Sequence, residues 1–327
     1  MFRISLLSLC CKLLNLPFLR EMNSETIMKY HSYIYTVLVS FLAASLVLSM
    51  FWTSCQTKVQ DKLIVVSIAP ERYFVEKIAG DSYVVKELVP PGVSPEEYDP
   101  TPADIAVLSH SSLYFYVGTL GFEQAWIEAI RENNPHLKCV DISNYLSEYE
   151  SDSLHTHNHN CAEHHGTTDP HFWTSITGAT AISKSIYEAL IKEYPEDTQL
   201  FAHNYELLLQ EIKQIEEECQ QILGGSNKRA FVIYHPSLSY FAHEWGVEQL
   251  AIEENGKSPS AAHLQKLVQK AQQDSVQIVF VQQEFDKSRA ETIAQQLDAQ
   301  IYEIAPLSYN WAEQMRQILS AFKAGDK

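Results

Sequence analysis

The sequence predicts an α/β protein of two parallel-sheet lobes joined by a long helix. Three observations carry that reading. Short apolar strands alternate with amphipathic helices from residue 63 to 143, helical periodicity runs without a strand from 177 to 224, and a second alternation runs from 229 to 305. In the first alternation, LIVVSIA (63–69) is a β-branched strand followed by a helix through RYFVEKIAG. YVVKELVP (83–90) is the second strand, and ADIAVLSHSS leads into the third, LYFYVG (113–118). GFEQAWIEAIREN is then a helix and LKCVDIS a strand.

The middle segments TGATAISKSIYEALIKEY and TQLFAHNYELLLQEIKQIEEECQQILG repeat apolar residues at helical spacing, with Pro195 between them. The second set opens on strand RAFVIYH (229–235), helix LSYFAHEW, strand VEQLAI and helix SAAHLQKLVQKAQQ. Strand VQIVFV (276–281), helix KSRAETIAQQL, strand QIYEIA and a closing helix from Tyr309 complete it. The expected boundaries are an export segment at 1–54, a first lobe at 55–174, a linking helix at 175–196 and a second lobe at 197–327.

Between Tyr30 and Thr57 there is no Asp, Glu, Lys or Arg, and Lys29 stands just before this apolar run. A basic start, an apolar core and small residues in that order read as an export signal. Thr53-Ser54-Cys55 resembles a lipobox, which makes Cys55 a lipid anchor; the alternative is an uncleaved membrane anchor. Met28 is the better start. Either way the folded chain lies outside the cytoplasm, in the periplasm or cell envelope.

The formal charge of −17 excludes a nucleic-acid binder, which needs a basic face. The six cysteines contain no CxxC pair, so neither a redox dithiol nor a thiolate zinc finger is expected. Chemistry instead gathers on histidine. His155, His157, His159, His164 and His165 hold five of the thirteen histidines within eleven residues, with Cys161 among them. Such a segment samples transition metals because each neutral imidazole offers one good donor. Directly after it comes Asp169-Pro170-His171-Phe172-Trp173, and His235-Pro236 ends a strand at the sheet edge where α/β proteins bind ligands. No HExxH helix accompanies these histidines, so a zinc hydrolase is not expected.

Taken in order, these residues resemble the metal-binding solute receptors of bacterial ABC transporters for zinc and manganese, in the zinc-uptake branch. The resemblance covers nearly the whole exported chain. It rests on Pro90-Pro91-Gly92 through Tyr98-Asp99-Pro100-Thr101-Pro102, on Asp169 to Trp173, on His235-Pro236 with Tyr240-Phe241, and on Ser258-Pro259-Ser260. It implies His171 and His235 as metal ligands and an ABC permease as partner, and not an enzyme. It implies a monomer that captures Zn2+, or alternatively Mn2+, between the lobes, the first lobe supplying Glu96 and His171 and the second His235. A metal-dependent adhesin of the same fold is the other alternative.

The chain departs from the family pattern at three places. Glu96 stands where the first ligand is normally histidine, with Glu97 beside it as the fallback. Gln282 replaces a usual glutamate, and Ala305-Pro306-Leu307 replaces Asp-Pro-Leu, which leaves Glu284 as the candidate fourth ligand. An oxygen at the first position makes the site harder and pulls toward manganese, whereas the histidine-rich segment favours zinc.

Overall fold

The computed structural model describes residues 33, 36, 40, 62–145, 169–225, 230–254 and 257–325. The export segment beyond three residues, Cys55, and the whole histidine-rich stretch 155–165 lie outside them. The chain divides into two units, Met1–Lys58 and Val59–Lys327. In the first, Tyr33, Thr36 and Ser40 are helical, and Ser40 Oγ donates to Thr36 O. Among the described residues no helix is long and apolar enough to cross a membrane.

The second unit is two four-stranded parallel sheets with the same strand order. In the first, β1 (Leu63–Val66), β2 (Val84–Glu87), β3 (Leu113–Tyr116) and β4 (Lys138–Asp141) stand in the order β2-β1-β3-β4. In the second, β5 (Ala230–Ile233), β6 (Glu248–Ala251), β7 (Ile278–Gln282) and β8 (Gln300–Ile304) stand as β6-β5-β7-β8. The intervening helices are α1 (Ala69–Ala79), α2 (Pro102–Leu108) and α3 (Gly121–Asn133) in the first half. Two central helices follow, α4 (Ile176–Glu193) and α5 (Thr198–Leu223). The second half holds α6 (Ser239–Trp245), α7 (Ala261–Gln273), α8 (Lys287–Leu297) and α9 (Trp311–Gly325).

Every strand and helix expected from the periodicity is present, and the segment leading into the third strand holds α2. Its seven residues are too few to display a period. Its start is nevertheless chemically specified: Thr101 accepts from Asp104 N, the Asp104 carboxylate accepts from Thr101 N, and Pro102 occupies the first turn. Strand β1 is shorter than its apolar run because the Glu71 carboxylate takes the amides of Ser67 and Ile68 and begins α1.

Alternation along β5 and β7 sends Phe231, Ile233 and Phe280 to one face and Val232, Val279 and Val281 to the other. The second face builds a local core with Leu267 and Ile293. The first face joins a single continuous core that also contains Ile64 and Phe115 of the first sheet, Ile182 and Ile186 of α4, Leu208 and Ile212 of α5, and Phe322 of α9. Helix α5 packs on α1, α4 and α9. Its Glu211 accepts from Tyr73 Oη and Lys77 Nζ of α1, and its Glu218 accepts from Arg316 Nε of α9.

Beneath the carboxyl ends of β1 and β3 lies a buried pair of acids, Glu71 and Glu123, each 1% exposed. Burial pushes both carboxyls up, and the Glu123 charge pushes Glu71 further. Hydrogen bonds from Ser67, Val117, Gly118 and Leu120 limit the rise of Glu123 to about 7. Glu71 Oε1 accepts no hydrogen bond. Raised folded-state values mean the native chain holds more protons than the unfolded chain. The Glu123 contribution to stability is full below the ordinary 4.5 and lost as pH rises through about 7. That of Glu71, raised well above its ordinary value, is likewise full below 4.5 and lost as pH rises through its own raised value. Glu71→Gln keeps the shape and removes the charge. Its melting temperature should gain on the parent's as pH rises from about 5 to about 9, by about 2–4 °C once the Glu71 carboxyl ionises, the shift that roughly 1 kcal/mol produces at this size, with no gain at about pH 5. Thermal denaturation at the two pH values checks it.

Candidate metal centre

The carboxyl edges of both sheets face one small cavity. His235 follows β5, Gln282 ends β7, Pro306 and Leu307 follow β8, and Glu96 lies on the proline-rich segment after β2. His171 precedes a 3-10 turn, Phe172–Thr174, that feeds α4. The cavity is about 30 Å³, room for an ion and too little for an organic solute. Both histidines are buried, at 8% exposure each, whereas the Glu96 side chain is 42% exposed.

Glu96, His171 and His235 each point one donor atom into a cluster no wider than 4.8 Å. His171 Nε2 and His235 Nε2 are 3.3 Å apart, and Glu96 Oε1 is 3.4 Å from His235 Nε2. Ligands bound at about 2.0–2.1 Å in a tetrahedron stand about 3.3 Å from one another, so both separations are those of donors sharing one zinc-sized ion. Glu284 lines the cavity without joining the cluster, and Glu97 is not among the lining residues. Of the acids expected at this site, the structure therefore brings Glu96 to the two histidines and leaves Glu284 on the wall.

Two carboxylates hold the imidazoles from behind. Asp169 Oδ1 accepts from His171 Nδ1 at 2.8 Å and from His171 N at 2.9 Å. Glu253 Oε2 accepts from His235 Nδ1 at 2.8 Å. Burial pulls His235 down, but the Glu253 hydrogen bond and the charges of Glu96, Glu253 and Asp169 outweigh it and hold the ring above its ordinary 6.5. Burial would raise Asp169, yet its bonds to His171 and Ser239 keep the carboxyl below the usual range. Phe285 stacks on the His235 ring at 5.3 Å and 18°, and Trp173 lies 5.2 Å from the His171 ring.

The backbone is fixed as firmly. Gln282 Nε2 donates to His235 O and Ser237 Oγ, and Gln282 Oε1 accepts from His235 N. The amide thus fills a structural role that a carboxylate could only half fill, since a carboxylate has no N–H to give the His235 carbonyl. Thr174 Oγ1 reaches both His171 O and Ser237 O, joining the two histidine segments. Trp173 Nε1 donates to Pro306 O, and Trp311 Nε1 to Trp173 O. Glu253 was not singled out in the sequence. The signal was available, since it is an acid just past a strand's carboxyl end, the same position that drew attention to His235. Other histidines are engaged elsewhere: His110 with Ala106 O, His136 with Ser109 O and His263 with Ala251 O.

Comparison with known proteins points the same way. The family model described as zinc-uptake complex component A, periplasmic, matches residues 64–325. The zinc-binding lipoprotein AdcA of Streptococcus pneumoniae is 24% identical over 282 residues, covering 82% of this chain and 55% of that protein. The chain therefore spans about half the length of that relative. The iron ABC transporter substrate-binding lipoprotein MtsA of Streptococcus pyogenes is 26% identical over 276 residues, covering 81% and 86%. A crystal structure of ZnuA superposes with a TM-score of 0.69 at 30% identity, covering 80% of this chain and 99% of that one.

Proposed function

The chain belongs to the periplasmic zinc-uptake component A family, and from that premise we propose that it captures Zn2+ outside the cytoplasm and hands it to an ABC permease for import. The single observation that supports this best is the spacing of Glu96, His171 and His235 around an ion-sized cavity. In this reading His171 and His235 bind through Nε2 and Glu96 through a carboxylate oxygen. Glu284, on the cavity wall, completes the shell in this reading, directly or through water. Cys55 carries the lipid anchor, and the histidine-rich segment 155–165 concentrates metal near the site.

Manganese or iron is the second reading, favoured by the oxygen that Glu96 supplies where the family has imidazole. Elemental analysis of protein purified without added metal, followed by competitive titration with zinc and manganese, tests the choice. Zinc should be recovered and should displace manganese; recovery of manganese alone would overturn the assignment. Glu96→His should raise the zinc-over-manganese affinity ratio on the order of tenfold, or 1.4 kcal/mol, because it softens the donor set. The same titration reads it.

A further inference from the structure

We propose that Glu253 is a positioning residue that turns His235 into a metal ligand, an inference that rests on the reading of His235 as a ligand. Two backbone bonds beyond β6 bring it there: Ile252 N donates to Ile233 O and Glu253 N to Tyr234 O, which extends the β5–β6 pairing to the neighbour of His235. The Glu253 side chain is 9% exposed and lies 2.8 Å from His235 Nδ1.

A carboxylate can only accept, so the proton between the two groups belongs to Nδ1. A neutral imidazole carries a single N–H; with that one on Nδ1, the Nε2 lone pair is free and faces Glu96 and His171 Nε2. Glu253 also fixes the ring's rotation. Phe285 restrains the ring plane and Gln282 the backbone, but neither distinguishes the ring from its 180° flip, in which Cε1 would take the place of Nε2. The hydrogen bond to Glu253 does.

Electron donation through that bond makes Nε2 the stronger donor. The gain matters more here than in a four-imidazole or acid-completed shell, because Glu96 supplies oxygen at one ligand position and Glu284 stays on the cavity wall outside the cluster. Asp169 serves His171 in the same way, but from two residues away on the same segment. Glu253 acts across the sheet, from a different strand, so its contribution is separable by mutation.

The experiment is competitive zinc titration of the exported protein carrying Glu253→Gln, Glu253→Leu, Glu253→Asp or His235→Ala, with long-range ¹H–¹⁵N spectra reporting the His235 tautomer in the metal-free state. Glu253→Leu removes the acceptor and should weaken zinc binding by about 10–100-fold, the range for such outer partners, and shift His235 toward the Nε2–H form. Glu253→Gln, whose amide oxygen still accepts from Nδ1, should weaken binding less and keep more of the Nδ1–H form, and Glu253→Asp should likewise retain part of both. Should the Leu variant fold poorly, Glu253→Ala takes its place. Unchanged affinity in the Leu variant with loss in His235→Ala overturns the role of Glu253 and leaves the ligand assignment standing. Unchanged affinity in His235→Ala overturns the ligand assignment itself. Weaker binding in the Leu variant without a tautomer shift reduces Glu253 to a packing residue and equally overturns the inference.

Discussion

Substituting alanine for both His171 and His235 should abolish high-affinity zinc binding while leaving the chain folded. Closed zinc sites bind with an apparent 10–16 kcal/mol, so two of three or four donors carry several kcal/mol together; a loss on the order of 5–6 kcal/mol lowers affinity by about 10⁴-fold. Folding should survive because the elements around the cavity are held by other contacts. Thr174, Trp173 and Gln282 keep their hydrogen bonds to backbone groups, and Asp169 still accepts from the backbone amide of residue 171. The measurement has two parts. Competitive titration reads the affinity, and thermal denaturation with and without zinc reads the linkage. Zinc at 1,000 times its Kd stabilises a native protein by about 4 kcal/mol, and in the double variant that gain should vanish. High-affinity binding that persists would refute the site.

Gly178→Ala should destabilise the protein by about 3 kcal/mol and lower its melting temperature by about 6–12 °C. Helix propensity argues the opposite sign, since alanine in a helix is favoured over glycine by about 1 kcal/mol. Geometry decides against propensity. Gly178 lies in the first turn of α4, where its amide donates to Ser175 Oγ at the N-cap. A Cβ there would stand 1.8 Å from Phe172 O and 2.6 Å from Phe172 C, and these are backbone atoms that cannot rotate aside. Phe172 O also accepts from Ser175 N and Ser175 Oγ, so the whole 3-10 turn must shift. That turn follows His171 directly. Zinc affinity should therefore fall together with stability, and a stabilised Gly178→Ala protein would show the local packing to be misjudged.

The sequence made most of the architecture legible because strand runs such as LIVV are apolar on both faces and buried on both, while helical repeats such as those of α5 bury one face. Helix α2 is marked by its cap more than by a period. His171 and His235 were legible as chemistry next to prolines and at a strand end, and Glu96 through its place in a family pattern. Glu253 was readable as an acid just past a strand's carboxyl end, but its pairing with His235 was not, since eighteen residues separate them and only the β5–β6 register puts them side by side. The tasks of Gln282 and Thr174 depend on which carbonyls converge, and no local pattern encodes that.

The core that runs from Ile64 through α4 and α5 to Phe280 and Phe322 has a thermodynamic meaning. Two lobes in topology are one cooperative unit in energy, because neither sheet can shed its inner face without exposing the other's. An ion held at the rim of such a unit is coupled to every residue within it. Its binding free energy adds to the free energy of global unfolding instead of pinning one loop, and ion binding is, in calorimetric terms, the same event as hardening the whole fold.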